Sequence, residues 1–165
     1  MMVDAHETLI VRPLAEADLD AIAVLQEASI MAFGLAAYGR RKAEAWARIG
    51  YQVRHDLLAQ GTFFVVERDA RLLGVGGWSP DSLDHRVAWL RYLFVHPDAS
   101  GQGVGRRLVE AAEASARSAG RGQLRVWSSL NAVGFYRALG YRSIRRAAMP
   151  LAAEIDIDYV LMARN

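Results

Sequence analysis

Three glycines alternate with other residues in the segment HPDASGQGVGRRL, which runs from His96 to Leu108. The segment ends where a helical spacing of apolar residues begins. The first amides of a helix have no intrahelical partner, and the helix dipole adds about half a positive charge there. Glycine keeps the backbone bare, so a phosphate group can approach these amides. The segment therefore predicts an anion site of the kind that holds phosphate.

Two common phosphate-binding motifs do not fit this spacing. Counted from Gly101, the dinucleotide pattern G-x-G-x-x-G has Arg106 where its third glycine should stand. The P-loop pattern needs a lysine directly after its last glycine, and no glycine in this sequence is followed by lysine. The glycines by themselves are also compatible with a turn that binds no ligand.

A second segment with a recognisable pattern follows about 30 residues further on, at SSLNAVGFYRALGYRS. It carries the pair Phe135 and Tyr136 in a short predicted helix, and then Leu-Gly-Tyr. The first segment, read as LFVHPDASGQGVGRRL, is a buried strand, a spacer and the glycines. Together the two segments resemble the signatures of the GCN5-related N-acetyltransferase family. The resemblance is sharp over Leu93–Tyr141, and the order of strands and helices extends it to Thr8–Ala163.

The resemblance implies transfer of an acetyl group from acetyl-CoA to a primary amine of a small molecule or peptide. The amine attacks directly in a ternary complex, which agrees with the absence of cysteine, since no thiol acyl-enzyme can form. The backbone of Leu93–Val95 would pair with the pantetheine arm, and the amides of Gly101–Arg106 would hold the pyrophosphate. The implied cofactor-binding residues are Leu93, Phe94, Val95, Ser100, Gly101, Gln102, Gly103, Val104, Gly105, Arg106, Ser129 and Asn131.

Two positions depart from the family pattern. Ser100 stands where the family often has arginine or glutamine, which puts one polar contact in doubt but not the amides. Ser129 stands where the family frequently has asparagine, and Asn131 is not the match of that asparagine.

Tyr136 matches the family's general acid, which gives a proton to the departing thiolate. A tyrosine has a reference pKa of about 10 and a thiol about 8.5, so the transfer requires close positioning. Simple packing of Tyr136 beside Phe135 is the alternative.

The general base is not marked by a motif. Trp89 stands where some family members carry a carboxylate, and RVAWLRYLFV contains no acid. Glu67 is the candidate catalytic base, with Asp84 and His85 as substitutes. Each also fits a solvated surface residue, and a chain of water molecules is the alternative route for the proton.

Hydrophobic periodicity predicts the elements that must position these residues. We expect strands at Thr8–Leu14, TFFVVER, RLLGVGGWS, Arg86–Val95, QLRVWSS, YRSIRR and EIDIDYVLMA. TFFVVER and RLLGVGGWS are separated by the tight polar turn DA, which predicts an antiparallel hairpin. We expect helices at LDAIAVLQEAS, within Ser29–Gln60 with an end at Gly61, from Gly103 to Ala119, and at LNAVGFYRAL.

The pattern of burial within these elements can also be predicted. The strand Arg86–Val95 is apolar at nearly every residue, so we expect burial on both of its faces. In the helix Gly103–Ala119, Val104 and Leu108 should face inward, and Glu110 and Glu113 should face solvent.

The order of elements indicates a mixed α/β fold of one domain, residues 1–165. The resemblance specifies it further as a mostly antiparallel, splayed sheet flanked by helices. Tyr38, Trp46 and Tyr51 are candidates to line the acceptor pocket, because the family's first helices border it. The helical spacing of Trp46 with Ile49 and Val53 favours a core position for that tryptophan.

Composition narrows the remaining classes. The chain has 165 residues, no cysteine and a net charge of +2, and its arginines are scattered. We therefore expect a cytoplasmic protein without a nucleic-acid partner. No uninterrupted apolar run reaches the roughly 20 residues of a membrane span, so no membrane partner is expected. The four histidines show no paired helical spacing, which predicts no metal site.

Two functions stay open at this point. An active N-acetyltransferase is favoured by Tyr136, and a non-catalytic acyl-CoA-binding module of the same fold is the alternative. The family also admits a homodimer.

Overall fold

The computed structural model describes residues 8–50, 59 and 62–165. Its seven-stranded sheet has the order β1-β2-β3-β4-β5-β7-β6. The strands are β1 Ile10–Pro13, β2 Phe63–Arg68, β3 Arg71–Pro80, β4 Val87–Val95, β5 Gln123–Ser129, β6 Arg142–Ala152 and β7 Ile155–Arg164. The helices of the described residues are α1 Leu19–Ser29, a π-helical turn Ile30–Gly34, α2 Leu35–Tyr38, α3 Arg40–Gly50, α4 Val104–Ser118 and α5 Val133–Ala138.

The predicted hairpin TFFVVER–RLLGVGGWS is confirmed. Strands β2 and β3 pair in antiparallel register, from Phe63 with Gly77 to Arg68 with Arg71. Asp69 and Ala70 form the connection, and both have positive φ, 51° and 60°. Two such residues match the right-handed twist of the flanking strands, as in the tightest hairpin turns.

The sheet is mostly antiparallel and splayed, as the sequence predicts. Strands β4 and β5 are the parallel pair, and they pair only from Val87 with Gln123 to Trp89 with Arg125. Beyond Trp89 the two strands diverge, while β4 stays paired with β3 as far as Val95. The second half of the β4 edge that faces β5 therefore has no strand partner among the described residues.

The expectation that β4 is buried on both faces is wrong for this second half. Val87 and Ala88 are fully buried, whereas Arg91 is exposed and residues 92–95 are only half-buried. The divergence of β5 explains the difference, because it opens a space beside the strand instead of covering it. A register shift opposite Val75–Gly77 accompanies a positive φ of 53° at Tyr92. This bulge brings Leu90 and Leu93 to the same face of the sheet.

Helix α4 covers one face of the sheet through its apolar stripe. Val109, Ala112 and Ala116 join the main core cluster, and Val104 and Leu108 join a second one beside β2 and β3. The helix approaches β3 very closely at Gly74, where a Cβ would lie 2.6 Å from Val104 Cγ1. A side chain at position 74 would push the start of α4 away from the sheet.

The second helical region is interrupted more often than predicted. After α1 comes a π-helical turn, then α2, and Gly39 with a φ of 81° separates α2 from α3. Glycine adopts this left-handed conformation without steric cost, so it ends a helix. The predicted continuation through Tyr51 and Val53 to an end at Gly61 lies outside the described residues.

One segment of the described chain, Glu16–Tyr38, is long and apolar enough to cross a membrane, with a mean hydropathy of 1.5 over an 18-residue window. It is not an uninterrupted apolar run of the kind considered above, because it contains Asp20 and Glu27. In the structure Ile22 and Leu25 are buried in a cluster with Val65 of β2. The segment thus packs one face against the sheet, with 39% of the 18-residue window buried, and a core helix passes the same test of length and composition.

Glu113 is a further correction, since it does not face solvent. It is 5% exposed. Its carboxylate accepts hydrogen bonds from the Tyr141 hydroxyl at 2.6 Å and from Arg164 and Arg117 at 3.2 Å each. Helical spacing alone could not distinguish it from Glu110, because Arg164 comes from β7 and Tyr141 from the turn after α5.

We expect Glu113→Ala to lower the free energy of unfolding by about 3 kcal/mol, because it leaves the buried Tyr141 hydroxyl and two arginines without their acceptor. Denaturant unfolding measures this loss. The matched control is Glu110→Ala, one turn earlier and exposed, which should change stability by less than about 0.5 kcal/mol. Equal effects of the two substitutions would contradict the structural role of Glu113.

Candidate active site

A cavity of about 720 Å³ opens where β4 and β5 diverge. Its wall comes from these two strands, the loop before α4, the first turn of α4, the π-helical turn and α5. Most of the predicted site residues lie in this wall: Leu93, Phe94, Val95, Ser100, Gly101, Gly103, Val104, Gly105, Arg106, Ser129, Asn131 and Tyr136. The fold therefore brings the two sequence segments to one place.

The glycine segment forms a bare loop at the N-terminus of α4. Gly101 and Gly103 have φ of 74° and 83°, and a Cβ at either position would meet no atom within 4 Å. Among the described residues, the first helical hydrogen bond of α4 is made by the backbone amide of Arg107, which donates to the Gly103 carbonyl at 3.1 Å. The backbone amides of Gly101, Gly103, Val104, Gly105 and Arg106 have no acceptor among the described residues.

These amides and their surroundings favour an anion. They stand at the positive end of the dipole of α4, a helix of 15 residues. Arg106 lines the cavity, and its neighbour Arg107 is exposed. The loop is held by local contacts, since the His96 ring accepts a hydrogen bond from the Asp98 amide at 3.1 Å. The result is a concave set of donors beside the free edge of β4.

The first turn of α4 packs directly on α5. A Cβ at Gly105 would lie 3.0 Å from the ring of Phe135, so the two helices meet here with no room for a side chain. The next residue, Tyr136, lines the same cavity as the loop. Close packing at Gly105 therefore determines how far Tyr136 lies from the amides.

Tyr136 is only 4% exposed. Its ring makes edge-to-face contacts with Phe135, at a centroid distance of 5.0 Å, and with Tyr141, at 5.5 Å. Burial raises the pKa of Tyr136 well above the ordinary value. Within the described part of the chain its hydroxyl has no hydrogen-bond partner. Tyr136 is therefore a fixed, protonated hydroxyl that can donate to a group in the cavity.

The structure does not bring the candidate bases to this site. Glu67 accepts a hydrogen bond from Arg12 at 3.0 Å, and the same arginine pairs with Asp18 at 2.8 Å. Asp84 binds Arg86 at 2.9 Å, and His85 is exposed. None of the described residues that line the cavity is an aspartate, a glutamate or a histidine. The assignment of Glu67 as base therefore has no support from its position.

Gln102 also departs from the expectation. Its side chain accepts from Arg68 at 2.8 Å and donates to the Asp98 carbonyl at 3.1 Å, so it points along the loop and does not line the cavity. Its backbone amide donates to the Ala99 carbonyl at 3.4 Å. Gln102 thus shapes the loop, while its neighbours present free amides.

The first helices contribute differently from the sequence expectation. Trp46 lines the cavity, and its ring packs against that of Phe94 with a centroid distance of 6.1 Å. Its side chain is therefore not confined to a core. The Tyr38 hydroxyl instead donates to the Asp158 carbonyl at 2.6 Å and accepts from the Leu130 amide at 2.8 Å. It therefore joins α2 to β7 and to the start of the second segment. Tyr51 lies outside the described residues.

Several lining residues were not identified from the sequence. Trp127 and Ser128 come from β5, and Tyr159 comes from β7. Burial, followed by the charge of Tyr38, raises the pKa of Tyr159 to about 12. Strand alternation could have placed Trp127 on the face of Arg125, but it could not show that this face meets a cavity. Among the described residues no cluster of His, Asp or Glu could hold a metal ion.

A sheet that splays at its parallel pair, beside a bare loop at a helix N-terminus, forms a cavity suited to a ligand that carries an anionic group. The family model described as the acetyltransferase (GNAT) domain matches residues 59–143, just over half of the chain. The protein belongs to this family.

Comparison with other proteins agrees with this membership. An uncharacterised N-acetyltransferase of Methanocaldococcus jannaschii is 27% identical over 144 residues, and the match covers 82% of this chain and 61% of that protein. The chain thus spans less than two thirds of that relative's length.

Solved structures show the same fold. A GCN5-related N-acetyltransferase from Rhodopseudomonas palustris superposes with a TM-score of 0.82 at 24% identity, covering 99% of this chain and 98% of that one. The PaiA N-acetyltransferase of Thermoplasma acidophilum, in complex with coenzyme A, superposes with a TM-score of 0.76 at 19% identity, covering 95% and 98%.

Proposed function

We propose that this protein transfers the acetyl group of acetyl-CoA to a primary amine of a small molecule or peptide, by direct attack of the amine. The observation that carries the proposal is the loop at the start of α4, where consecutive amides lack an acceptor beside an unpaired strand edge. Membership of the acetyltransferase family supports it. The M. jannaschii relative is itself described as an N-acetyltransferase.

The cavity residues fit coenzyme A. The amides of Gly101 and Gly103–Arg106 suit the pyrophosphate, because donors at a helix N-terminus stabilise a doubly charged group. The unpaired edge of β4 at Leu93–Val95 suits the amide groups of the pantetheine arm, which would add to the sheet as a short extra strand. Acetyl-CoA, when bound, supplies an acyl group activated as a thioester.

The reaction then requires two proton transfers, one from the amine and one to the departing thiolate. Tyr136 holds a proton at its hydroxyl up to high pH and donates it to the thiolate that leaves. On the amine side, a neutral amine that binds directly, or water that carries its proton to solvent, fits the absence of a carboxylate or imidazole among the described cavity residues. The absence of cysteine agrees with attack without an acyl-enzyme.

A second candidate is a module that binds acyl-CoA without turnover. The same shortage of a base in the described wall favours it, whereas the position of Tyr136 favours the enzyme. For either function, we propose one domain over residues 1–165. The absence of cysteine suits the cytoplasm, and no nucleic acid is expected as a partner. A homodimer stays within the proposal because the family includes dimers.

The test is a calorimetric titration with acetyl-CoA, free CoA and ADP, followed by a thiol-release assay with a panel of amines. Tight binding of acetyl-CoA with release for at least one amine supports the enzyme. Binding without turnover of any amine supports the binding module, and binding of ADP as tight as that of CoA would mean that the loop serves nucleotides in general. No binding of CoA would overturn both functions.

A further inference from the structure

The sheet face opposite α4 carries a cationic aromatic patch, which we call the tryptophan–arginine surface. Its members are Trp89, Arg91, Arg125, Trp127 and Arg145. The pairing of β4 with β5 sets Trp89 beside Arg125. Arg91 and Trp127 follow two residues later on their strands, and side chains two apart share a face. Arg145 belongs to this face because Leu161 of β7 is the partner of both Arg145 and Trp127.

The aromatic part of this surface is rigidly held. The two indole rings are nearly parallel, with an interplanar angle of 4° and centroids 6.5 Å apart. The Trp89 indole nitrogen donates to Asp81 at 2.7 Å. The Arg145 guanidinium lies 4.9 Å from the Trp127 ring centre, and that of Arg125 lies 5.9 Å from the Trp89 ring. These contacts order the guanidinium groups without neutralising them.

The arginines of this surface form no ion pair with a carboxylate in the described ranges. No ion pair joins Arg91, Arg125 or Arg145 to a carboxylate there, although Arg146, next in sequence, pairs with Asp158. Arg91 is held by the neutral Ser79, to which its Nε donates at 2.9 Å.

The carboxylate of Asp81 interacts electrostatically with Arg125. Its oxygens already accept hydrogen bonds from Trp89 and from the amides of Leu83 and Asp84. Asp81 therefore orients the surface and leaves an excess of positive charge. An anion would supply the missing acceptors.

This surface borders the reaction cavity. Trp89, Arg91 and Trp127 line the cavity together with Tyr136. Tyr136 belongs to the core cluster on the α4 side of the sheet, whereas the tryptophans lie on the opposite side. If coenzyme A occupies the α4 side, a second substrate can reach the thioester through the gap beyond Trp89, where β4 and β5 part.

We propose that the acceptor carries, besides its amine, an anionic group, a carboxylate or a phosphate, that the tryptophan–arginine surface binds. This inference rests on the proposed acetyl transfer. The guanidinium groups bind the anion, and the indoles accommodate the apolar or planar part of the molecule. Nearby positive charge also disfavours the ammonium form of the acceptor amine. This helps to explain how attack proceeds without a carboxylate or imidazole in the described cavity wall.

The experiment compares acceptors in matched pairs, with and without the anion: phenylalanine with phenethylamine, and phosphoethanolamine with ethanolamine. Thiol release gives kcat/KM, and tryptophan fluorescence gives binding in the presence of CoA. We expect at least one anionic member to bind more tightly and to exceed its neutral partner by about tenfold or more in kcat/KM, which corresponds to one good charge-assisted hydrogen bond. The pair that responds identifies the carboxylate or the phosphate.

Substitutions test the surface itself. Arg145→Gln and Arg91→Gln should each raise KM for the anionic acceptor about tenfold, with the affinity for acetyl-CoA unchanged. Arg145→Lys should recover part of the loss, because it restores the charge without the planar fork. The control is Arg137→Gln on α5, an exposed arginine outside this surface, which should change neither value.

The outcomes separate this inference from the proposed function. Neutral amines that bind and react as well as their anionic partners would overturn the inference and leave acetyl transfer intact. Failure of both anionic acceptors to bind would overturn it as well. If the unmodified protein does not bind acetyl-CoA, that result would instead contradict the proposed function.

Discussion

Tyr136→Phe should lower kcat by at least about 100-fold, the effect expected when a general acid is removed. The dissociation constant of acetyl-CoA should stay within about twofold, because the ring and its contacts with Phe135 and Tyr141 are retained. Only the hydroxyl is lost, and in the described structure it supports no other residue. Steady-state kinetics at saturating acetyl-CoA, together with calorimetry, measures the two quantities.

The matched control for this substitution is Tyr159→Phe. Tyr159 lines the same cavity, and its pKa is also raised, to about 12. It lies on β7 and outside the second sequence segment, so we expect less than about a fivefold change in kcat, well below the loss of an acid. Unchanged turnover in Tyr136→Phe would exclude the acid role. A large loss of kcat in Tyr159→Phe alone would assign the general-acid role to Tyr159 on β7.

The second large effect is expected at Gly103. Gly103→Ala places a methyl group where the amides face the cavity and should weaken acetyl-CoA binding by about tenfold or more, through displacement of the phosphate from its donors. The substitution also strains the backbone, because the φ of Gly103 is 83°. An L-residue in this conformation costs about 1–2 kcal/mol of stability.

Gly120 provides the control that separates binding from strain. It lies just beyond the other end of α4, has a φ of 80°, and likewise has no atom within 4 Å of its missing Cβ. Gly120→Ala should lower the free energy of unfolding by an amount similar to Gly103→Ala, with acetyl-CoA affinity unchanged. If both variants lost affinity equally, the loss at Gly103 would reflect helix stability and not a phosphate cradle.

The part of the site that was predictable from the sequence is local along the chain. Gly101 and Gly103 directly precede α4 and Gly105 lies in its first turn, so their place at a helix N-terminus could be predicted from neighbouring residues. Tyr136 was identified because its segment, with Phe135 and Tyr141, resembles the second signature of the family. The hairpin of β2 and β3 followed in the same way from strand alternation around a tight turn.

Residues whose role depends on distant partners were not predictable. Glu67 was chosen as a base because it ends a strand, but Arg12 of β1, 55 residues earlier, pairs with it. Glu113 was placed in solvent because helical spacing carries no information about Tyr141 or Arg164. Trp89 and Trp127 are 38 residues apart in sequence, and only the register of two diverging strands sets their rings parallel.

The sequence by itself determined the positions of the strands and helices, the bare loop before α4 and Tyr136 in the second segment. Short-range hydrogen bonding and backbone freedom control these features, and both depend on residue types a few positions apart. Only the tertiary structure decided where β4 parts from β5, which carboxylates become neutralised and which arginines form no ion pair with a carboxylate in the described chain. Those outcomes depend on strand pairing and burial between residues that are remote in sequence.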